Sequence, residues 1–264
     1  METVAGRPAS PLAHQIEEQT RDLEWTLAHF AFVANVTTLE AECDIAHTPG
    51  MSVASCHALP QTVLSFVGES AELLANYATF LADPGSEVLL LVNAEQRAVA
   101  RAAFEVADEV PQWQMVFRGV PESLDPGDAE ELGVEDWAAM EALARAEKCP
   151  LVTFARHPFD HGPAFGIWER KKLAAMGMTN LRLPGAVQIG NLITRQDSRQ
   201  RGYASNIIAA LVRALIQEDV CVFALVDQDD TVSLNLAESL GFTRERPMYL
   251  MRCVLKGASP DAET

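Results

Sequence analysis

Apolar positions along the chain alternate between a period near 3.6 residues and a period near two, with short polar breaks between them. Residues 17–33 set Leu23, Leu27, Phe30 and Ala31 on one side and predict a helix. Residues 52–67 carry two β-like runs broken by Pro60, and Ser70-Ala71-Glu72 opens a helix reaching about 81, closed by Asp83-Pro84-Gly85. In 87–92 only Glu87 is not apolar, which predicts a buried strand; Asn93 then caps a helix over 94–107, and a strand follows at 112–117. After a Gly-, Pro- and acid-rich break at 118–127, residues 132–148 place Trp137, Met140, Leu143 and Ala144 on one helical face. Strands are expected at 164–169 and 172–179, joined by the charged turn Arg170-Lys171, and at 187–194. A helix over 206–218 follows, with Ile207, Ile208, Leu211, Val212 and Leu215 on one face. The pattern ends with a strand at 220–226, a helix at 231–240 stopped by Gly241, and a strand at 249–255.

This order predicts an α+β chain with a mixed sheet. Residues 1–11 and 257–264 have tail composition. The break at 118–127 is the expected boundary between a smaller α+β domain, 12–122, and a second domain, 123–256.

Composition narrows the function. Apolar residues make up 48% of the 264, enough for a sizeable core, and the net charge of -17 argues against general nucleic-acid binding, which depends on Lys and Arg at phosphates. Five cysteines without C-x-x-C spacing suit reduced thiols in a cytoplasm better than a disulfide framework or a zinc site. No apolar run reaches the roughly 18 residues of a membrane span, and the N-terminus has no basic-then-apolar leader pattern. The expectation is a cytoplasmic protein with no metal, membrane or nucleic-acid partner.

The chemistry concentrates at Arg199-Gln200-Arg201-Gly202-Tyr203-Ala204-Ser205, between a predicted strand and a predicted helix. A helix start aims free N–H groups and the positive end of the helix dipole at such a turn. Gly202 has no Cβ, so a diphosphate has room to approach the backbone, and Arg199 and Arg201 add charge-assisted contacts. The alternatives are an ordinary strand-to-helix connection with solvated charges, or a site for another nucleotide.

Arg199-x-x-Gly202-x-Ala204 is similar to the pyrophosphate signature of the GNAT superfamily of acyl-CoA-dependent N-acyltransferases. Leu192-Ile193-Thr194 lies at that family's distance ahead of it, and Leu240-Gly241-Phe242 resembles its closing helix-turn. Phe165-Gly166-Ile167-Trp168-Glu169 and Gln188-Ile189-Gly190-Asn191 resemble core strands of the branch with an extra N-terminal domain. The resemblance covers roughly the second half of the chain. It implies an N-acyltransferase, most simply an acetyltransferase, with acetyl-CoA or another acyl-CoA as co-substrate and a small-molecule or peptide amine as acceptor. It further implies that Leu192, Ile193 and Thr194 meet the pantetheine arm, residues 199 to 205 the diphosphate, and Asp230 and Ser233 the cofactor from the last helix.

Departures concern the proton-transfer groups. The family's tyrosine, four residues before the glycine matching Gly241, is Ala237 here, and its usual asparagine is Asp230. Glu169 is the candidate base, with an exposed strand-end glutamate as the alternative, and Tyr203 and Tyr249 are candidate acids. The loop bearing His157, Asp160 and His161 is a candidate acceptor-binding segment, or a polar connector. The N-terminal half is available as a cover for the acceptor cleft or as a homodimer surface. The missing tyrosine leaves a second reading open, a non-catalytic acyl-CoA-binding sensor.

Overall fold

The computed structural model describes residues 16–38, 43–57, 61–82, 86–149, 151 and 159–255. The first periodic stretch forms helices α1 (Leu23–Ala28) and α2 (Phe30–Thr37); the Asp22 carboxylate caps α1 by accepting from the Glu24 N–H at 2.9 Å. Strands β1 (Cys43–Thr48), β2 (Met51–Cys56) and β3 (Thr62–Gly68) form an antiparallel run, followed by helix α3 (Ala71–Leu81). Strand β4 (Glu87–Asn93) lies parallel to β3, and Asn93 starts helix α4 (Ala94–Ala103) through a capping box with Gln96.

The expected helix over 94–107 stops at Ala103, because Phe104 is wholly buried and begins the long strand β5 (Phe104–Phe117). Strand β6 (Glu130–Leu132) and helix α5 (Trp137–Ala146) come next, with Met140, Leu143 and Ala144 buried as the periodicity predicts. Strands β7 (Ala164–Glu169), β8 (Lys172–Leu183) and β9 (Ala186–Thr194) are antiparallel. Arg170 and Lys171, at φ 47° and 65°, make the tight β7–β8 turn. Helix α6 (Tyr203–Ile216) begins directly after Gly202, three residues before the periodicity alone starts it. Strand β10 (Cys221–Asp227) lies parallel to β9, and helix α7 (Thr231–Ser239) leads into β11 (Phe242–Leu255), twice as long as the strand expected at 249–255.

Among the described residues eleven strands join one sheet, in the order β1-β2-β3-β4-β11-β5-β10-β9-β8-β7-β6. The two halves repeat one plan: three antiparallel strands, a helix, a strand parallel to the third, a helix, and a last strand. They exchange those last strands. β11 pairs with β4 as well as with β5, and β5 pairs with β10. The division expected at 122/123 therefore does not separate two sheets, and each half completes the other's.

Side-chain alternation assigns the layers. On β9, Val187 packs with Ile207, Leu211 and Leu215 of α6, while Ala186 packs with Leu27, Phe30 and Val33 of α1 and α2. On β8, Met176 and Met178 pack with Met140 and Leu143 of α5. In the N-terminal half Leu64, Phe66, Leu90 and Phe104 pack with α3 and α4, together with Met251 and Cys253 of β11. Each such fully buried aliphatic or aromatic side chain contributes roughly 1.5–3 kcal/mol from its burial.

Candidate functional site

The site begins where β9 and β10 part. They pair in parallel at Ala186–Cys221, Val187–Val222 and Gln188–Phe223, and then diverge. The gap opens a cleft of about 290 Å³ lined by Ile189, Gly190, Asn191 and Leu192 on one side and by Ala224 to Asp227 on the other. Ile208 and Leu211 of α6 and Asp230, Ser233, Leu236 and Ala237 of α7 complete its walls. Aliphatic walls beside an unpaired strand edge suit a flexible amide-bearing chain, which can bond along that edge as an added strand does.

Just past Leu192, at the end of β9, sits the basic turn. Gly202, at φ 80°, is the N-cap residue of α6 and leaves the helix start without a side-chain cap. Gln200 also has a positive φ, 62°, so the backbone folds tightly on both sides of Arg201. The guanidinium groups are not pointed freely at solvent. Arg199 donates to the Thr194 carbonyl at 3.2 Å and to Glu147 Oε2 at 2.8 Å. Arg201 donates to Glu169 Oε1 at 2.6 Å, and Arg195 to Glu169 Oε2 at 2.9 Å.

Glu169 is thereby a hub. Its Oε1 also accepts from the Tyr203 hydroxyl at 2.7 Å, and Oε2 from the Ser198 hydroxyl at 2.7 Å. These hydrogen bonds, with Tyr203 foremost and Ser198 next, and then the two guanidinium groups, hold its carboxyl below the ordinary value of 4.5. A carboxylate stabilised by four donors is a weakened proton acceptor, and these bonds tie the end of β7 to the turn. Tyr203 is committed to that same carboxylate.

The other acid candidate lies elsewhere. Tyr249 pairs with Val92 and Pro111, packs with the N-terminal half's core, and carries the Arg97 guanidinium 4.2 Å from its ring centroid. It does not line the cleft, whose residue from β11 is Phe242, seven positions earlier on the same strand. A tyrosine's position in sequence does not reveal which half its strand end packs with.

Among the expected cofactor contacts, Leu192, Asp230 and Ser233 line the cleft. Ile193 turns its side chain to the opposite layer, buried with Met176 and Leu132, and the Thr194 carbonyl is engaged by Arg199. Asp230 caps α7 by accepting from the Ser233 N–H at 3.0 Å, so these two are bonded to each other. Ala204 and Ser205 form the first turn of α6. Of the histidine loop, His157 lies outside the described residues. Buried His161 sits beside β8, its carbonyl accepting from Arg182 at 2.9 Å, and neither it nor Asp160 lines the cleft. Asp227, not singled out in the sequence, does line it, with Oδ1 accepting from Gln112 at 2.7 Å. Its signal was its place at the end of a buried strand next to the parting of two parallel neighbours.

The N-terminal half parts in the same way, after Thr62–Val88, Val63–Leu89 and Leu64–Leu90. There the chain fills the gap itself. The Gln96 side-chain amide donates to the Phe66 carbonyl, and its oxygen accepts from the Asn93 N–H at 3.2 Å. Ser70 caps the α3 start by accepting from the Leu73 N–H at 3.2 Å.

Residues 164–250 match the family model described as FR47-like protein. A GNAT-family protein from Novosphingobium aromaticivorans superposes with a TM-score of 0.67 at 20% identity, over 87% of this chain and 98% of that one. A GCN5-related N-acetyltransferase from Kribbella flavida gives 0.61 at 13% identity, over 87% and 96%. The fold is that of the GNAT superfamily. The internal repeat has a counterpart as well: a tandem GNAT protein from the clavulanic acid biosynthesis pathway gives 0.61 at 13% identity, over 96% and 98% of the two chains. No curated protein matches the sequence. Within this GNAT fold, no helix among the described residues is long and apolar enough to cross a membrane, and no His, Cys, Asp and Glu cluster there suits a metal ion.

Proposed function

We propose that this chain is an acyl-CoA-dependent N-acyltransferase, an acetyltransferase in the simplest case, moving the acyl group directly to an amine. The observation that carries this reading is the cleft between β9 and β10, walled on one side by Ile208 and Leu211 of α6, the helix whose start at Gly202 has no side-chain cap. The two parts suit the two ends of one ligand. The uncapped N–H groups of α6 take the diphosphate, with Arg199 and Arg201 turned partly inward to their glutamates. The strand edge at Ile189 to Leu192 takes the pantetheine amides, and its backbone N–H groups steady the oxygen of the thioester under attack.

A neutral amine attacks the thioester, and its proton needs an acceptor. Asp227 and Asp230 are the carboxylates lining the cleft; Asp230 caps α7, and we assign the proton to Asp227, which accepts from Gln112 through Oδ1 and caps no helix. The thiolate departs without a tyrosine donor, since Ala237 stands at the family's position. Incubation with acetyl-CoA and a panel of amines, following free thiol, tests the reading. Thiol release that depends on an amine supports it; release with no amine dependence refutes it.

The second reading, a non-catalytic acyl-CoA binder, is favoured by Ala237 together with the commitment of Glu169 and Tyr203 to the turn. Tight acetyl-CoA binding with no thiol release across the panel selects it.

A further inference from the structure

The strand lining the cleft contains an irregularity that the chemistry above does not use. Between Met176–Ile193 and Met178–Gly190, β9 holds one more residue than β8; between Thr179–Ile189 and Leu181–Gln188, β8 holds one more than β9. Two opposed bulges thus flank two ordinary pairs, and the register recovers. The residues at the bulges touch: Asn191 Nδ2 donates to Asn180 Oδ1 at 2.8 Å. Asn191 stands in the left-handed region at φ 48°, which asparagine tolerates better than most residues but does not prefer. Asn180 is 8% exposed, and its amide lies over Gly190 so closely that a Cβ there would meet Asn180 Nδ2 at 2.2 Å.

A bulge bends its strand, raises the twist and ends pairing on one side. That is what happens here. The β9–β10 ladder stops at Gln188, and Ile189, Gly190, Asn191 and Leu192 line the opening. Asn180 sits on the neighbouring strand and is not among the lining residues, so its influence on the cleft passes through the two it touches, Gly190 and Asn191.

We propose that Asn180 is a positioning residue: its amide oxygen holds Asn191 in the left-handed conformation that presents the bulged backbone of β9 to the acyl thioester. The inference rests on the acyl-CoA reading above and assigns Asn180 the acyl end of the ligand, leaving the diphosphate end to the Gly202 turn. Removing the Asn180 amide lets residue 191 relax toward extended backbone, which carries the N–H groups away from the thioester carbonyl. Glycine at 191 adopts the left-handed region without a partner and so dispenses with Asn180. Threonine there, being β-branched, opposes it.

Calorimetric titration of the full chain with CoA and with acetyl-CoA separates the two ends without requiring the acceptor amine. The wild type is expected to bind acetyl-CoA about five- to tenfold more tightly than CoA, the worth of one directed hydrogen bond to the acyl carbonyl. Asn180→Ala and Asn191→Thr should each bring the two affinities together; with Asn180→Ala, whose residue lies outside the cleft lining, CoA affinity should stay within about threefold. The double variant Asn180→Ala with Asn191→Gly should recover most of the acetyl preference, a recovery that a packing role for Asn180 would not give. An unchanged preference in Asn180→Ala, or in Asn191→Thr should Asn180→Ala not fold, overturns the proposal. So do equal affinities in the wild type and a failure of glycine to rescue. A wild type that binds neither ligand defeats the acyl-CoA reading itself.

Discussion

Gly202 and Gly185 form a matched pair that isolates ligand contact from backbone strain. Both have left-handed backbone, at φ 80° and 70°, and both stand in open space. A Cβ at Gly185 would meet nothing within 4 Å, and one at Gly202 only Asn206 Oδ1 at 3.8 Å. Gly185 lies in the β8–β9 turn and is not a cleft-lining residue, whereas Gly202 lies where the diphosphate is expected. Left-handed alanine costs about 1–2 kcal/mol. The lost flexibility of the unfolded chain offsets about 0.4–1 kcal/mol of that. Each alanine variant should therefore lose on the order of 1 kcal/mol, about 2–4 °C in melting temperature for a chain of this size. Ligand affinity should separate them. A methyl at Gly202 displaces phosphate from charge-assisted N–H bonds worth about 1.5–3 kcal/mol, so Kd for CoA should rise about tenfold or more. Gly185→Ala should bind CoA as the wild type does. Thermal melts and CoA titration of both variants give the comparison. Equal CoA affinity in the two, with matched melting shifts, would refute the assignment of the diphosphate to this turn.

Other outcomes follow from the same geometry. Tyr249→Phe should leave acyl transfer unchanged in rate, while Asp227→Asn should lower kcat about a hundredfold if Asp227 takes the amine proton, both read by thiol release. Equilibrium dialysis should find one CoA per chain, because Gln96 occupies the N-terminal gap; two would mean that this amide gives way. Glu169 is held below its ordinary value, so its stabilising effect is complete above that value and lost as pH falls through the lowered one. Melting curves of the wild type and Glu169→Gln should thus differ by a constant interval from about pH 8 to pH 5, and converge only in stronger acid.

Local order was legible where one residue's chemistry decides it. Asn93 and Ser70 cap helices, and Gly241, at φ 93° and packed against Gly119, stops α7, all as their types suggest. From β7 onward the order of strands and helices followed from apolar period and turn residues, while the short β6 and the first half of β11 did not. The start of β5 was not legible, because Glu105, Ala107, Asp108 and Glu109 continue an Ala- and Glu-rich helical composition; only pairing with β11 and the burial of Phe104 make it a strand. The exchange of β5 and β11 is a long-range choice that no local pattern encodes. At the site, the glycine turn was visible and its restraints were not. Glu169, Glu147 and Ser198 reach the turn from positions that only folding brings close. The bulge at Asn191 had a faint signal, a Gly-Asn pair inside a strand that also holds Val187, Ile189, Ile193 and Thr194.

A crystal structure with acetyl-CoA bound tests the central claim most directly. The account predicts the diphosphate on the N–H groups of residues 200–205 and the pantetheine along Ile189 to Leu192, with the thioester near Asn191 and Asp227. Acetyl-CoA seated outside the β9–β10 cleft, or with its diphosphate away from Gly202, would contradict it.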